Sequence, residues 1–239
     1  MKAVILAGGK GKRMGALTQE APKPMLLVQG KPVLEHIITG LRDSAKIREF
    51  FIITGHCAEM IENHFKDGAA WNVSCVYGCQ PTPDGTGKAP ELAASWVGKE
   101  PFLLTYGDVL VDSLDYAEML RQFHADALIS VKAGENVRLG GAVIFDENFY
   151  LKDLIEKGAT GNAASPWYNT GIYIFPPRLF DYTQRLEKSP RGEYELTDAI
   201  RAMARDGLRI QGYEIKRRWA DVRDPAELER LNRQAAAGW

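Results

Sequence analysis

MKAVILAGGKGKRM, residues 1–14, is a short apolar run that breaks off into glycines and cations. Ala3–Ala7 shows no alternation of polar and apolar positions, the pattern of a parallel strand covered on both faces. Gly8, Gly9 and Gly11 tolerate positive φ and let backbone amides come close to an anion. Lys10, Lys12 and Arg13 add positive charge, and Lys23 sits on a stiff backbone between Pro22 and Pro24. No G-K-[ST] closes the loop as in a Walker A motif, and GGKGKRMG does not fit G-x-G-x-x-G. Taken alone, the turn reads equally as an anion site or as a solvated basic loop.

Outward from this turn, the strand–helix alternation repeats. FFIIT at Phe50–Thr54, Val73–Tyr77, Phe102–Tyr106 and Ala127–Lys132 read as further strands. Helical spacing over Pro32–Leu41, Ala58–Phe65, Pro90–Val97 and Leu114–His124 separates them. This rhythm predicts a doubly wound α/β fold with a mixed, mostly parallel sheet and helices on both faces. Such sheets bind ligands beyond the carboxyl ends of their strands, here just after Ala7, Thr54, Tyr77 and Tyr106. Past about residue 135 the pattern changes to short strands at Ala142–Phe145, Tyr150–Ile155 and Gly171–Phe175, expected as an antiparallel extension or a mixed-sheet edge. Helices over Arg178–Leu186 and Leu196–Asp206, a strand over Arg209–Ile215 and a final helix over Pro225–Gln234 complete the reading. Gly158–Pro166 is the most loop-like segment.

Bulk properties exclude several classes. The net charge is -1 over 239 residues, without the basic surplus of a general nucleic-acid binder. Cys57, Cys75 and Cys79 are an odd set with no His-rich companion, which argues against a disulfide framework or a zinc site. No segment approaches the ~20 apolar residues of a membrane span, and AVILA is too short for a signal peptide. No membrane partner and a cytoplasmic location are expected.

LAGGKGKRM followed by PKPMLLVQGKPVLEHII resembles the signature of the sugar-1-phosphate nucleotidyltransferase family, the NDP-sugar pyrophosphorylases. Further matches follow in the family's order: QPTPDGTGKA from Gln80, LLTYGDVLVD, Gly141, Glu156-Lys157, YNTGIYIF, RGEYELTD and WADVRDPAEL. The motifs are most similar to those of uridylyl- and thymidylyltransferases. The resemblance implies one domain over 1–239, with a Rossmann-like core over 1–134 and a sugar-binding part over 135–218 containing a small inserted antiparallel subdomain. A closing metal motif with the C-terminal helix would occupy 219–239. The implied reaction joins an NTP and a sugar 1-phosphate into an NDP-sugar and pyrophosphate, with Mg²⁺ as cofactor. A homo-oligomer is left open. The sequence to Trp239 carries no hexapeptide repeat of the kind some relatives append, so the nucleotidyl step alone is expected.

The resemblance also implies roles. Leu6, Ala7, Gly8, Gly9, Gly11, Gln80, Gly85, Thr86 and Lys88 fall at nucleotide-binding positions. Arg13 and Lys23 match the pair that grips the triphosphate. Asp108 and Asp221 match the metal carboxylates, Asp108 being catalytic as well. For Asp108 the competing reading is a turn or helix cap; for Asp221 the rival is Asp224, which precedes Pro225 as a helix cap would. Gly141, Glu156, Lys157, Asn169 and Arg191 fall at sugar-phosphate positions. An amide at Gln80 can both donate and accept, which suits the N3–H and O4 edge of uracil or thymine, so UTP or dTTP is favoured; a flipped amide would suit cytosine. Lys88 stands where the family carries a small residue, and is expected either to face the nucleotide, touching phosphate or narrowing the base pocket, or to face solvent. Two rival readings remain. One is a cytidylyltransferase for a sugar 1-phosphate or a phosphocholine- or phosphonate-type substrate, with Tyr150, Trp167 and Tyr168 as an aromatic wall. The other is a non-catalytic sugar-nucleotide-binding regulatory protein.

Overall fold

The computed structural model describes residues 1–156 and 165–234. The first part of the chain runs β1 (Lys2–Leu6), a small hairpin of β2 (Leu27–Val28) and β3 (Lys31–Pro32), α1 (Val33–Asp43), β4 (Glu49–Thr54), α2 (Ala58–Phe65) and β5 (Ser74–Cys79). It continues through the short α3 (Ala94–Val97), β6 (Phe102–Tyr106), β7 (Val109–Val111), α4 (Ser113–Gln122) and β8 (Ala127–Ala133). The remainder runs β9 (Ala142–Phe145), β10 (Leu151–Ile155), β11 (Trp167–Phe175), the short α5 (Leu179–Thr183) and α6 (Leu196–Arg205). The chain then passes through β12 (Ile210–Glu214), β13 (Trp219–Asp221) and α7 (Pro225–Arg233).

The apolar run at the N-terminus is buried on both sides because β1 is central. It pairs in parallel with β4 on one edge and β6 on the other, and β5 extends the sheet beyond β4. On one face Ala3, Ile5, Phe50 and Ile52 pack with Leu34 and Ile38 of α1 and Phe65 of α2. On the other, Val4, Phe51, Ile53 and Leu104 share a core with Leu196, Ile200 and Met203 of α6. No polar face is left along these strands, which is why they lack alternation.

The antiparallel part is not a separate sheet. Strand β11 joins β6 antiparallel, and β8, β9, β10 and β12 continue the same nine-stranded sheet from it. Along one edge β11 pairs with β8 over most of its length. The other edge is shared: Trp167 and Tyr168 pair with β9, whereas Ile172–Phe175 pair with β6. The sheet therefore divides at Asn169–Gly171, where the β11 register also shifts. Gly171 has φ +82°, and a Cβ there would stand 2.6 Å from the Tyr106 ring, so only glycine fits the split.

Two predicted helices are shorter than their spacing suggested. Over Arg178–Leu186 only Leu179–Thr183 is α-helical, and the chain then tightens into i→i+3 bonds such as Leu186 N–H to Thr183 O. Pro90–Val97 begins as a 3₁₀ turn over Ala89–Ala93 before α3. Strands β7 and β13 were not predicted at all. They form an antiparallel ladder in which Trp219 faces Val111 and Asp221 faces Val109. No helix among the described residues is long and apolar enough to cross a membrane.

Candidate active site

A cavity of about 470 Å³ opens beyond the carboxyl ends of β1 and β6, at the place where the sheet divides. The glycine turn forms one wall: Leu6, Ala7, Gly8, Gly9, Gly11 and Arg13 all line it. Parallel pairing carries the backbone into the turn, since Ala7 N–H donates to Ile53 O at 2.8 Å. Gly8 is then pressed on the end of β4, where an added Cβ would sit 2.9 Å from Thr54 O. Gly11 takes φ +59° and is backed by Thr18 and Lys23. Arg13 is exposed and has no ion pair among the described residues. The turn therefore presents glycine backbone and an exposed guanidinium to the cavity.

Lys23 behaves differently. It is buried at 7% exposure, and its Nζ lies 2.5 Å from Asp108 Oδ2 and 3.6 Å from Asp221 Oδ1. The β7–β13 ladder brings these carboxylates together: Asp108 precedes β7, Asp221 ends β13, and Val222 N–H donates to Asp108 O at 3.0 Å. Burial pushes the Asp221 carboxyl up to about 6, and the negative charge of Asp108 adds to it; Lys23, Arg223 and Arg13 pull the other way. Asp224 is occupied elsewhere, since its Oδ1 accepts from Glu227 N–H at 2.9 Å and caps α7.

Two carboxylates that converge on one cation, with exposed cavity beside them, suit a divalent ion that takes oxygen ligands. No His, Cys or third carboxylate among the described residues completes a protein cage. That sparse donor set fits Mg²⁺, which uses one or two carboxylates and completes its shell with phosphate oxygens and water.

Beyond the glycine turn, Gln80, Gly85 and Thr86 continue the wall. Gly85 has φ +112°, and a Cβ there would lie 2.3 Å from Tyr194 O. Gly87 N–H donates to Tyr194 O at 2.8 Å, and Thr86 Oγ1 accepts from Leu196 N–H at 3.3 Å. The second glycine turn is thus stitched to the RGEYELTD segment. Lys88 is not among the lining residues. Its ammonium lies 4.5 Å from the centre of the Tyr194 ring, with Lys188 at 5.4 Å, so it braces that junction rather than reaching into the cavity.

Glu156, Asn169 and Arg191 line the cavity as well. Arg191 is ringed by carboxylates: Glu193 at 2.8 Å, Glu195 at 3.5 Å and Glu156 at 3.6 Å. Thr197 Oγ1 donates to Glu156 Oε2 at 2.9 Å and Ser189 Oγ to Glu195 Oε1 at 3.0 Å. Burial raises the Glu195 carboxyl above its ordinary range. Asn169 is held through its Oδ1, which accepts from Tyr173 OH at 3.0 Å and Gly171 N–H at 3.3 Å. Gly141 does not line the cavity, but its carbonyl accepts from Asn169 N–H at 3.1 Å, and its neighbour Gly140 does line it. Lys157 and the segment to residue 164 lie outside the described residues.

The aromatic wall expected for a cationic substrate does not assemble. Only Tyr168 of the three lines the cavity. Tyr150 lies under the Arg209 guanidinium, 4.5 Å from the ring centre, and Trp167 packs on Phe149 at 5.1 Å.

A family model described as nucleotidyl transferase matches residues 2–238. The chain belongs to the nucleotidyl transferase family. Among curated relatives, the low-salt glycan biosynthesis nucleotidyltransferase Agl11 of Haloferax volcanii is 33% identical over 97% of this chain and 65% of its own length. The bifunctional protein GlmU of Methanocaldococcus jannaschii is 34% identical over 98% and 54%. The glucose-1-phosphate thymidylyltransferase of Neisseria meningitidis is 31% identical over 87% and 72%. The chain thus spans between about half and two thirds of the first two relatives. A crystal structure from Bacillus anthracis, described as a glucose-1-phosphate thymidylyltransferase in complex with sucrose, superposes with a TM-score of 0.85 at 26% identity. It covers 97% of this chain and 94% of its own.

The cavity also contains residues that sequence reasoning passed over: Tyr106, Trp219, Arg223, Glu193 and Glu195. Arg223 stands 3.8 Å from Glu135, and its charge also acts on Asp221. The indole N–H of Trp219 is buried without a hydrogen-bond partner among the described residues. A signal existed for the two glutamates, because both lie with Arg191 in the RGEYELTD motif, as Trp219 and Arg223 lie with Asp221 in WADVRDPAEL. For Tyr106 the sequence shows only an aromatic residue at a strand end.

Proposed function

We propose that this protein transfers a nucleotidyl group from an NTP, with UTP or dTTP favoured, to a sugar 1-phosphate, giving an NDP-sugar and pyrophosphate. The observation that carries the reading is Lys23 shared between Asp108 and Asp221 in a cavity that also holds the glycine turn and the Arg191 cluster. Substrates of both kinds would meet there, and membership of the nucleotidyl transferase family agrees with that chemistry. A sugar-phosphate oxygen attacks the α-phosphorus, the bond from that phosphorus to the bridging oxygen breaks, and the electron pair leaves with pyrophosphate. Both reactants are anions, so positioning and neutralisation of charge dominate, and no covalent nucleophile is required.

The glycine turn amides and Arg13 would hold the triphosphate, and Lys23 would follow the charge that builds on the leaving pyrophosphate. Asp108 and Asp221 would hold Mg²⁺, which would supply alignment and neutralisation of the reacting phosphates. Arg191 would meet the sugar phosphate, while Glu156 and Asn169 would hydrogen-bond sugar hydroxyls. Glucose 1-phosphate is the first sugar to test, because the Neisseria relative is named for it. A non-catalytic sensor reading is disfavoured by the presence of both carboxylates and both basic residues in one cavity.

The test is pyrophosphate release with Mg²⁺ over a matrix of nucleotides and sugar 1-phosphates. Release with UTP or dTTP that depends on the sugar phosphate is expected. Tight NDP-sugar binding without turnover for any pair would overturn the enzymatic reading.

A further inference from the structure

Gln80 has a neighbour that sets which way its amide faces. Its Nε2 donates to Asp84 Oδ1 at 3.1 Å and to the Gly85 carbonyl at 3.1 Å. A carboxylate and a backbone carbonyl only accept, so both amide protons are used and the orientation of the amide is determined by its partners. Its oxygen is left over. A Cβ built on Gly8 would stand 3.5 Å from Gln80 Oε1, which places that oxygen beside the cavity wall. Asp84 itself does not line the cavity. Its backbone is anchored from the far side, since Tyr194 N–H donates to Asp84 O at 2.7 Å.

We propose that Asp84 is a positioning residue that selects the nucleotide base: by occupying the Gln80 amide N–H, it turns the amide oxygen to the base site as an acceptor-only reader. Uracil and thymine present a donor, N3–H, at the centre of their pairing edge. Cytosine presents a lone pair at the same atom. An acceptor facing that position gains a hydrogen bond from the first two and meets repulsion from the third, and a base edge left unpaired in a dry pocket is rejected strongly. Free rotation of the amide would remove the distinction, because a flipped Gln80 would offer cytosine a donor. The inference rests on the reading of this cavity as a pyrimidine nucleotide site, and it names the residue that makes the choice.

The test uses the full chain and measures binding of UTP, dTTP and CTP by calorimetry with Mg²⁺, alongside kcat/KM for each. Wild type is expected to favour UTP and dTTP over CTP by about tenfold or more, in line with one mismatched hydrogen bond. Asp84→Asn can donate as well as accept, so only the Gly85 carbonyl is left to oppose a flip of the amide. It should shrink that ratio at least fivefold, by weakening UTP and strengthening CTP, with an unchanged sugar 1-phosphate KM. Asp84→Glu should restore most of the ratio. A purely structural role would lower all nucleotides together. Wild type preferring CTP, or an Asp84→Asn ratio equal to wild type, overturns the proposal, and the first result needs no variant to fold. Base selectivity in binding without turnover for any sugar phosphate would sink the transferase reading and leave this assignment standing. Turnover with CTP preferred would do the reverse.

Discussion

Two groups of residues lining the cavity carry charge in opposite ways. In the group proposed for the nucleotide end, Arg13 is unpaired among the described residues, and Lys23 is a single ammonium held by two carboxylates. At the sugar end one guanidinium, Arg191, is already surrounded by Glu156, Glu193 and Glu195. The first end is prepared for a polyanion and a divalent cation. The second offers many directional hydrogen bonds and little spare positive charge among the described residues. A nucleotide should therefore be held by charge, and the sugar by geometry.

The sharpest way to break that contrast is Asp108→Asn. Turnover should fall by about 10³-fold, the scale of losing a principal electrostatic element at the reacting phosphates. The melting temperature should change little, and near-normal activity would remove Asp108 from the metal site. Lys23→Ala should cost about 10²-fold in turnover. It should also cost about 2 kcal/mol of stability without metal, less than a fully buried pair, because the Asp108 side chain is 28% exposed. Arg13→Ala should lower turnover by a similar order with no measurable loss in urea melts, since it is exposed. Equal stability effects at the two positions would erase the distinction drawn between them.

At the sugar end the expected effects are smaller. Arg191→Ala should raise KM for the sugar 1-phosphate by about tenfold while KM for the nucleotide stays within about twofold. An equal rise in both would mean that Arg191 serves the whole cavity. The smallest effect is a titration. In the metal-free protein the Asp221 carboxyl should take up its proton as pH falls through about 6, above an ordinary aspartate. Mg²⁺ competes with that proton, so metal affinity should rise with pH up to about 6 and level off above it. In Asp108→Asn the repelling charge is gone and the Asp221 transition should move to lower pH. Carboxyl-carbon NMR would report it, and an unmoved transition would assign the shift to burial alone.

The nucleotide end was the more legible of the two in the sequence. Continuous apolar runs marked β1, β4 and β6 because both sheet faces are covered, and glycines marked the turns where positive φ or close approach is needed. What was not legible depended on contacts between distant segments. Asp108 and Asp221 meet through a ladder of three-residue strands, too short to show any period, so only a motif match linked them. Lys88 could not be placed because Tyr194, far along the chain, decides where its ammonium rests. Tyr150 and Trp167 suggested an aromatic wall, but Arg209 and Phe149 claim them. The division of β11 between β6 and β9 rests on one glycine, Gly171, whose role shows only once Tyr106 is beside it.

The central claim is that both substrates meet in one cavity and react directly. Labelled pyrophosphate, incubated with the protein, Mg²⁺ and UTP or dTTP, tests it most simply. The account predicts label in the nucleotide only when the matching NDP-sugar or sugar 1-phosphate is also present. Label exchanging into the nucleotide without any sugar would reveal a covalent nucleotidyl intermediate and contradict direct attack, and no exchange under either condition would contradict the transferase itself.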